Sequence, residues 1–323
     1  MESLSDILLL PTVTISLFLD SLLFILLSYA LLLTLYLLRN YKEERSSSLF
    51  YSLEKKSHLL LSIISLSIFT KVLLFPFFFN TLSTLSNILP GAMCSAGVIS
   101  ANEFGTPTLF FKFITILIAL LWLRLNREDE ITSKQPYFRK KLWLYIFLYI
   151  SITIELFLEI SFFTNLLTDT PVLCCSSLYN IPLEKSFLLT LSPLTLIALF
   201  SLLYLSILTL NHLNKRHITT LLLLPFSYVS YYVVVYIFTP YIYELPTHKC
   251  PYCMLQEQYY FIGYFIYLSF FMGLYHSLVA SLFNFKKSDY KKSSLYFTLF
   301  FFLSISSFIF YIIREKTLLS PLF

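Results

Sequence analysis

Residues 254–285 read MLQEQYYFIGYFIYLSFFMGLYHSLVASLFNF, preceded by HKCPYC at 248–253 and followed by KKSDYKK at 286–292. From Tyr259 to Phe285 this run contains no Asp, Glu, Lys or Arg. About 20 apolar residues suffice to cross a bilayer as a helix, so the run predicts one membrane span. Its two flanks differ in kind. One is a cysteine-bearing loop and the other a lysine cluster, and that asymmetry is the key to the rest of the chain.

Seven further runs have the same character, at about Leu8–Leu38, Leu59–Phe79, Pro107–Leu123, Leu142–Leu167, Ser186–Leu210, Ile218–Tyr243 and Leu295–Ile313. The predicted fold is therefore all-α: a polytopic membrane bundle of about eight transmembrane helices, read as a single integral membrane domain over 1–323. Composition agrees. The 323 residues are 57% hydrophobic and 13% charged, where a soluble domain is about a quarter charged. With Phe 34 and Tyr 24 against Gly 5, the helices are expected to face lipid. The early residues Glu2 and Asp6, with no early Lys or Arg, do not read as a secretory signal peptide. The net charge of +5 lies in clusters between apolar runs, leaving no basic face for nucleic acid.

Orientation follows from those clusters. The loops 39–58, 124–141, 215–216 and 286–292 hold 17 of the 23 Lys+Arg residues. The positive-inside rule assigns them to the cytoplasm, which puts both termini and the loops 80–106, 168–185 and 244–253 outside. These three loops hold all five cysteines: Cys94, Cys174, Cys175, Cys250 and Cys253. They are expected to face the periplasm or exterior of a bacterial-type cytoplasmic membrane, where thiol–disulfide chemistry persists. Cys94, Cys175 and Cys250 recur at roughly 75–80 residues, as an old hairpin duplication would place them. The three loops are expected to bring their sulfur atoms together.

Cys250-Pro251-Tyr252-Cys253 reads as a redox-active dithiol, with Cys250 expected at a helix start whose unpaired N–H groups favour thiolate. The bland alternative is a structural disulfide that pins the loop. Cys-Pro-Tyr-Cys also spells a glutaredoxin active site, but no βαβ pattern surrounds it. Adjacent Cys174 and Cys175 are poorly placed to bond each other, so exchange with Cys94 or shared metal binding is expected. The odd cysteine count leaves one thiol over.

Around Cys94 the chain reads Cys94-Ser95, Val98, Ser100, and then Phe104-Gly105-Thr106-Pro107 entering a span. This Cys-Ser-x-x-Val-x-Ser and Phe-Gly-x-Pro pattern, with a C-x-x-C beside a later span, resembles the vitamin K epoxide reductase family. It also resembles the related quinone-coupled disulfide-forming membrane proteins. Those families are four-helix bundles with a cysteine pair in the loop, where this chain has Cys94. The resemblance implies electron transfer from loop cysteines to Cys250 and Cys253, and from there to a quinone. Gly91, Gly97 and Gly105 are three of the five glycines, so this loop is expected to need unusual backbone or close approach.

Lys71, Lys112, Glu155 and Glu159, with Asp20, lie inside spans, where charge is costly and is paired or functional. Glu155 and Glu159 share a helix face by their i, i+4 spacing. A network of these groups is expected, either relaying protons or serving as a structural ion pair. Tyrosines crowd the sixth and seventh spans. Tyr259 and Tyr260 are the candidates for holding a quinone ring, against the plain alternative of an interfacial aromatic belt. The five histidines do not pair at matching depth as a transmembrane haem would require. There is no Walker loop, nucleophile elbow or H-E-x-x-H.

Three functions remain. One is a membrane thiol–disulfide oxidoreductase, possible cofactor quinone, serving an extracytoplasmic thiol protein. A second is handling of a soft metal, copper or mercury, by His248, Cys250, Cys253, Met254 and Cys94. The third is a non-catalytic membrane subunit stapled by disulfides.

Overall fold

The computed structural model describes residues 7–40, 48–131, 136–168, 170–173, 191–283 and 287–315. It has eight helices long and apolar enough to cross a membrane, and no strand among the described residues. The chain is an all-α integral membrane protein. Within it two compact units form, Met1–Val172 and Leu173–Phe323.

The N-terminal unit contains α1 (Pro11–Asn40), α2 (Ser48–Ser86), the short α3 (Ser95–Ile99), α4 (Gly105–Ile131) and α5 (Phe138–Thr164). Helix α1 packs on α2 and α5, and α4 packs on α5 and α2. On α1 the buried stripe is Ser16, Asp20, Leu23, Leu27, Ala30, Thr34 and Leu37. The spacing alternates four and three, which is one face of a helix. The opposite stripe, Phe18, Ile25 and Leu32, is at least 63% exposed. A large apolar outer face would aggregate in water, and acyl chains cover it in a bilayer. The core joins Leu27, Ala30, Leu60, Ile64, Trp122 and Leu148.

The C-terminal unit contains α6 (Pro193–His212), α7 (Arg216–Val233), α8 (Thr239–Tyr243), α9 (Ile262–Leu278) and α10 (Lys287–Glu315). A π-turn, Val234–Phe238, joins α7 to α8, and a second, Val279–Phe283, extends α9. Rings fill this unit. Tyr204 stacks on Phe301 at 4.2 Å, and Phe226 meets Phe297 edge-on at 5.2 Å. Gly273 makes room for the Phe297 ring, since a Cβ there would come within 2.6 Å of it.

Several helix ends differ from the sequence expectation. The loop expected from Asn80 begins after Ser86, and α4 runs to Ile131, beyond the expected stop at Arg124. Helix α2 has 39 residues, a length of about 58 Å at 1.5 Å per residue, against a hydrocarbon core of about 30 Å. Hydropathy marks where lipid ends, and hydrogen bonding carries the helix further. The charged segment expected as a loop over 124–141 includes buried groups. Lys141 Nζ meets Asp129 Oδ2 at 2.7 Å, and Asp129 Oδ1 accepts the Tyr137 N–H at 2.9 Å. The C-x-x-C pair also departs from expectation. It stands on a turn well ahead of α9, so Cys250 is not at the start of a membrane helix and receives no help from its dipole.

Candidate functional site

The dithiol turn in the C-terminal unit is built by the chain reversal after α8. Glu244 closes that helix in the left-handed region at φ +58, and the Leu245 N–H bonds back to the Pro240 carbonyl at 3.1 Å. A further turn at His248 leads to Cys250. Cys253 then opens a single 3-10 turn, Cys253–Leu255, followed by another, Glu257–Tyr259. Two tyrosines fix the backbone between the sulfurs. The Tyr243 hydroxyl donates a hydrogen bond to the Cys250 carbonyl, and Tyr267 donates to the Pro251 carbonyl at 2.7 Å. The two Sγ atoms lie within 4.8 Å of each other. Cys250 is fully buried and Cys253 nearly so. Among the described residues there is no disulfide.

Met254 is buried beneath this turn and presses on Gly263, where a Cβ would fall 2.4 Å from the Met254 Cγ. Between them Tyr260 and Phe261 both adopt left-handed backbone, at φ +53 and +55. For aromatic residues that conformation costs on the order of 1–3 kcal/mol each. The strain sits where the dithiol turn is joined to α9.

Beside the turn is a cavity of about 580 Å³ whose wall includes Tyr241, Tyr243, Tyr259, Tyr260, Phe310 and Tyr311. Its size falls within the range of small-molecule sites, about 300–1,000 Å³. Tyr243 and Tyr259 rings meet at 4.5 Å. Glu244, also in the wall, pairs with Arg314 at 2.7 Å, and that hydrogen bond holds its carboxyl below the usual range. Lys249, next to Cys250, lies with its Nζ 5.6 Å from the Tyr236 ring, and partial burial lowers its pKa. His248 does not join the two sulfurs; its ring stands edge-on to Tyr243 at 4.5 Å.

The N-terminal unit holds a different arrangement. Lys71 Nζ contacts Asp20 Oδ1 at 2.7 Å and Glu155 Oε1 at 2.9 Å. Lys112 Nζ contacts Glu159 Oε2 at 2.8 Å, Glu155 Oε1 at 3.0 Å and Asp20 Oδ2 at 3.5 Å. Ser16 Oγ donates to Glu159 Oε1 at 3.1 Å, and the Phe78 ring lies 4.5 Å from Lys112 Nζ. All five ionisable residues are at most 8% exposed. Four helices supply them, α1, α2, α4 and α5, so the network holds this unit together at the depth of the lipid.

Cys94 belongs to this same unit. It precedes α3 and is buried. Its loop needs two glycines for steric reasons. Gly91 has φ +85, and a Cβ on Gly105 would sit 2.0 Å from the Ile99 carbonyl oxygen. Cys174 and Cys175 lie outside the described residues.

Sequence reasoning missed Ser16 and Tyr267, and reached Tyr243 only as one of the tyrosines crowding the sixth and seventh spans. Ser16 stands four residues before Asp20, the spacing that marks Glu155 with Glu159, so that signal was available. No pattern distinguishes Tyr243 and Tyr267 from the many other tyrosines of their spans. Compared with protein-family models, with curated proteins and with solved structures, the chain has no match.

Proposed function

We propose that this chain is a membrane thiol–disulfide oxidoreductase whose Cys250/Cys253 pair is coupled to a quinone held against Tyr243, Tyr259 and Tyr260. The observation that carries this reading is the double role of Tyr243. One side of it lines the aromatic cavity, and its hydroxyl holds the Cys250 carbonyl.

Oxidation of the pair forms one S–S bond and releases two electrons and two protons. A bound quinone would accept both electrons and both protons and leave as quinol. The chain's own part is positional. Tyr243 and Tyr267 fix the two carbonyls between the sulfurs, so a small side-chain rotation brings them from within 4.8 Å toward the bond length of about 2.05 Å. Lys249, the sequence neighbour of Cys250, is the basic residue that would favour a thiolate there. Burial of both sulfurs suits a small planar oxidant better than direct attack by a folded protein. Cys94, Cys174 and Cys175 are the candidates to pass electrons from an extracytoplasmic thiol protein. The resemblance of the Cys94 stretch to quinone-coupled families, and the basic loops, support a bacterial-type inner membrane with the cysteine loops outside.

The test uses reduced, purified full-length protein and a water-soluble quinone. Two thiols should disappear for each quinol formed. Cys250→Ser and Cys253→Ser should each abolish the reaction, and Tyr259→Ala should slow it several-fold. An unchanged thiol count overturns the proposal. Stoichiometric copper retained by the purified protein would replace it with soft-metal handling through the thiolates and Met254.

A further inference from the structure

We infer that the buried network of the N-terminal unit is a binding site for one proton, carried by Glu159. The inference needs no cysteine and stands apart from the quinone reading. It begins with a charge count. Asp20, Glu155 and Glu159 are three carboxylates, and Lys71 and Lys112 are two ammonium groups. With every group ionised the site carries one uncompensated negative charge in a region shielded from water, which is a costly condition. One added positive charge neutralises it.

The distribution of contacts says where that charge goes. Every element packed around Glu159 is represented: Ser16 and Asp20 from α1, Lys71 from α2, Lys112 from α4 and Glu155 from α5. Asp20 and Glu155 each meet both lysines. Of the two lysines Glu159 meets Lys112 alone; the Ser16 hydroxyl is at its other oxygen, and the Asp20 carboxyl is its hydrogen-bonding neighbour, which adds like charge rather than a counter-charge. Glu159 is therefore the carboxylate least held in the ionised form. A hydroxyl donates or accepts equally well, so Ser16 can turn to accept from a protonated Glu159.

A second feature points the same way. Glu155 Oε2 is buried without a hydrogen-bond partner, and Glu155 lines a small cavity of about 10 Å³ together with Lys71 and Lys112. That is room for about one water, the carrier a proton needs to reach the carboxylates. The three acids have oxygens within 4.8 Å of one another, as a metal cation would also require. Both ammonium groups, however, occupy the space between them, and a cation would face two like charges at contact distance. A proton adds charge to an acid without entering that space.

Infrared spectroscopy of the full chain in detergent tests the inference through the C=O stretch that only a protonated carboxyl shows. At neutral pH the wild-type minus Glu159→Gln difference should contain one such carboxyl per chain. Glu54→Gln, an exposed residue outside the network, should leave the band intact. If the Glu159→Gln protein does not fold, the wild type alone decides: alkaline titration should remove the band in a one-proton step. A difference spectrum without the band overturns the inference, as does a step of two protons or of none. Sodium or potassium bound one per chain after desalting also overturns it, because the compensating charge would then be a metal ion.

Discussion

The two units solve one problem, filling the inside of a lipid-embedded bundle, with opposite chemistry. The N-terminal unit closes around five ionisable side chains from four helices. The C-terminal unit closes around rings: Phe200, Phe226, Phe270, Phe297, Phe300 and Phe301 form a continuous set of stacked, edge-on and tilted contacts. Helices in lipid gain little from burying apolar surface, because acyl chains are as apolar as a leucine. What remains is either electrostatic pairing, which is directional and unforgiving, or close packing, which is diffuse. The difference predicts how each unit fails.

The ion network should fail most severely. Lys112→Met leaves the ionised Asp20 and Glu155 with one ammonium, Lys71, and removal of one partner from a buried ionic site costs about 3–5 kcal/mol. The expected result is a large fall in thermal midpoint in detergent. Adding Glu155→Gln should restore part of it, because that change removes an ionised carboxylate, and charge balance rather than Lys112 itself is the requirement. A double mutant no more stable than the single would contradict the network's charge logic. Phe226→Ala is the matching probe of the C-terminal unit. The cost of Phe→Ala in water-soluble cores is about 3–5 kcal/mol. Here the transfer part is reduced and the cavity part persists, so about 2–3 kcal/mol is expected. Refilling the space with Phe226→Leu should recover more than half. A loss equal to that of Lys112→Met would erase the contrast between the units.

The contents of the two units are unevenly legible in the sequence, which reads as a single membrane domain over 1–323. Eight spans were legible because lipid exposure demands long uncharged runs, and Glu155 with Glu159 was legible because their spacing defines a helix face. The helix ends were not. Hydropathy gives no sign that α2 continues from Phe79 to Ser86, since polar residues outside hydrocarbon still hydrogen-bond helically. Lys141 and Asp129 looked like a solvated charge run, and only their mutual contact at 2.7 Å makes burial tolerable. The dithiol was placed at a helix start because the apolar run follows it closely. Gln256-Glu257-Gln258 and the left-handed Tyr260 and Phe261 postpone α9 to Ile262, and no hydrophobic period records a positive φ.

That postponement makes the dithiol turn dependent on one contact, and Gly263→Ala probes it. The added methyl would meet Met254 Cγ at 2.4 Å and must push the turn or the side chain aside. Overpacking of this kind costs about 1–3 kcal/mol. Because Met254 adjoins Cys253, the rate of thiol oxidation should change along with the stability. Met254→Ala in the same chain should relieve both. A Gly263→Ala protein with unaltered stability and thiol reactivity would mean that the turn is not seated on α9 as the contact implies.

The smallest effect is expected from Tyr243→Phe, which keeps the ring in the cavity wall and deletes only its hydroxyl. The Cys250 carbonyl loses its donor, a change of about 1–2 kcal/mol for a buried acceptor. Lys112→Met, in the other unit, should leave the oxidation rate of any folded fraction unchanged, whereas Tyr243→Phe should lower that rate more than it lowers the thermal midpoint. This inversion of effect sizes separates a residue that positions reacting sulfur from one that holds helices together. If Tyr243→Phe instead costs stability and leaves thiol oxidation untouched, Tyr243 is a packing residue and the cavity beside it has no link to the cysteines.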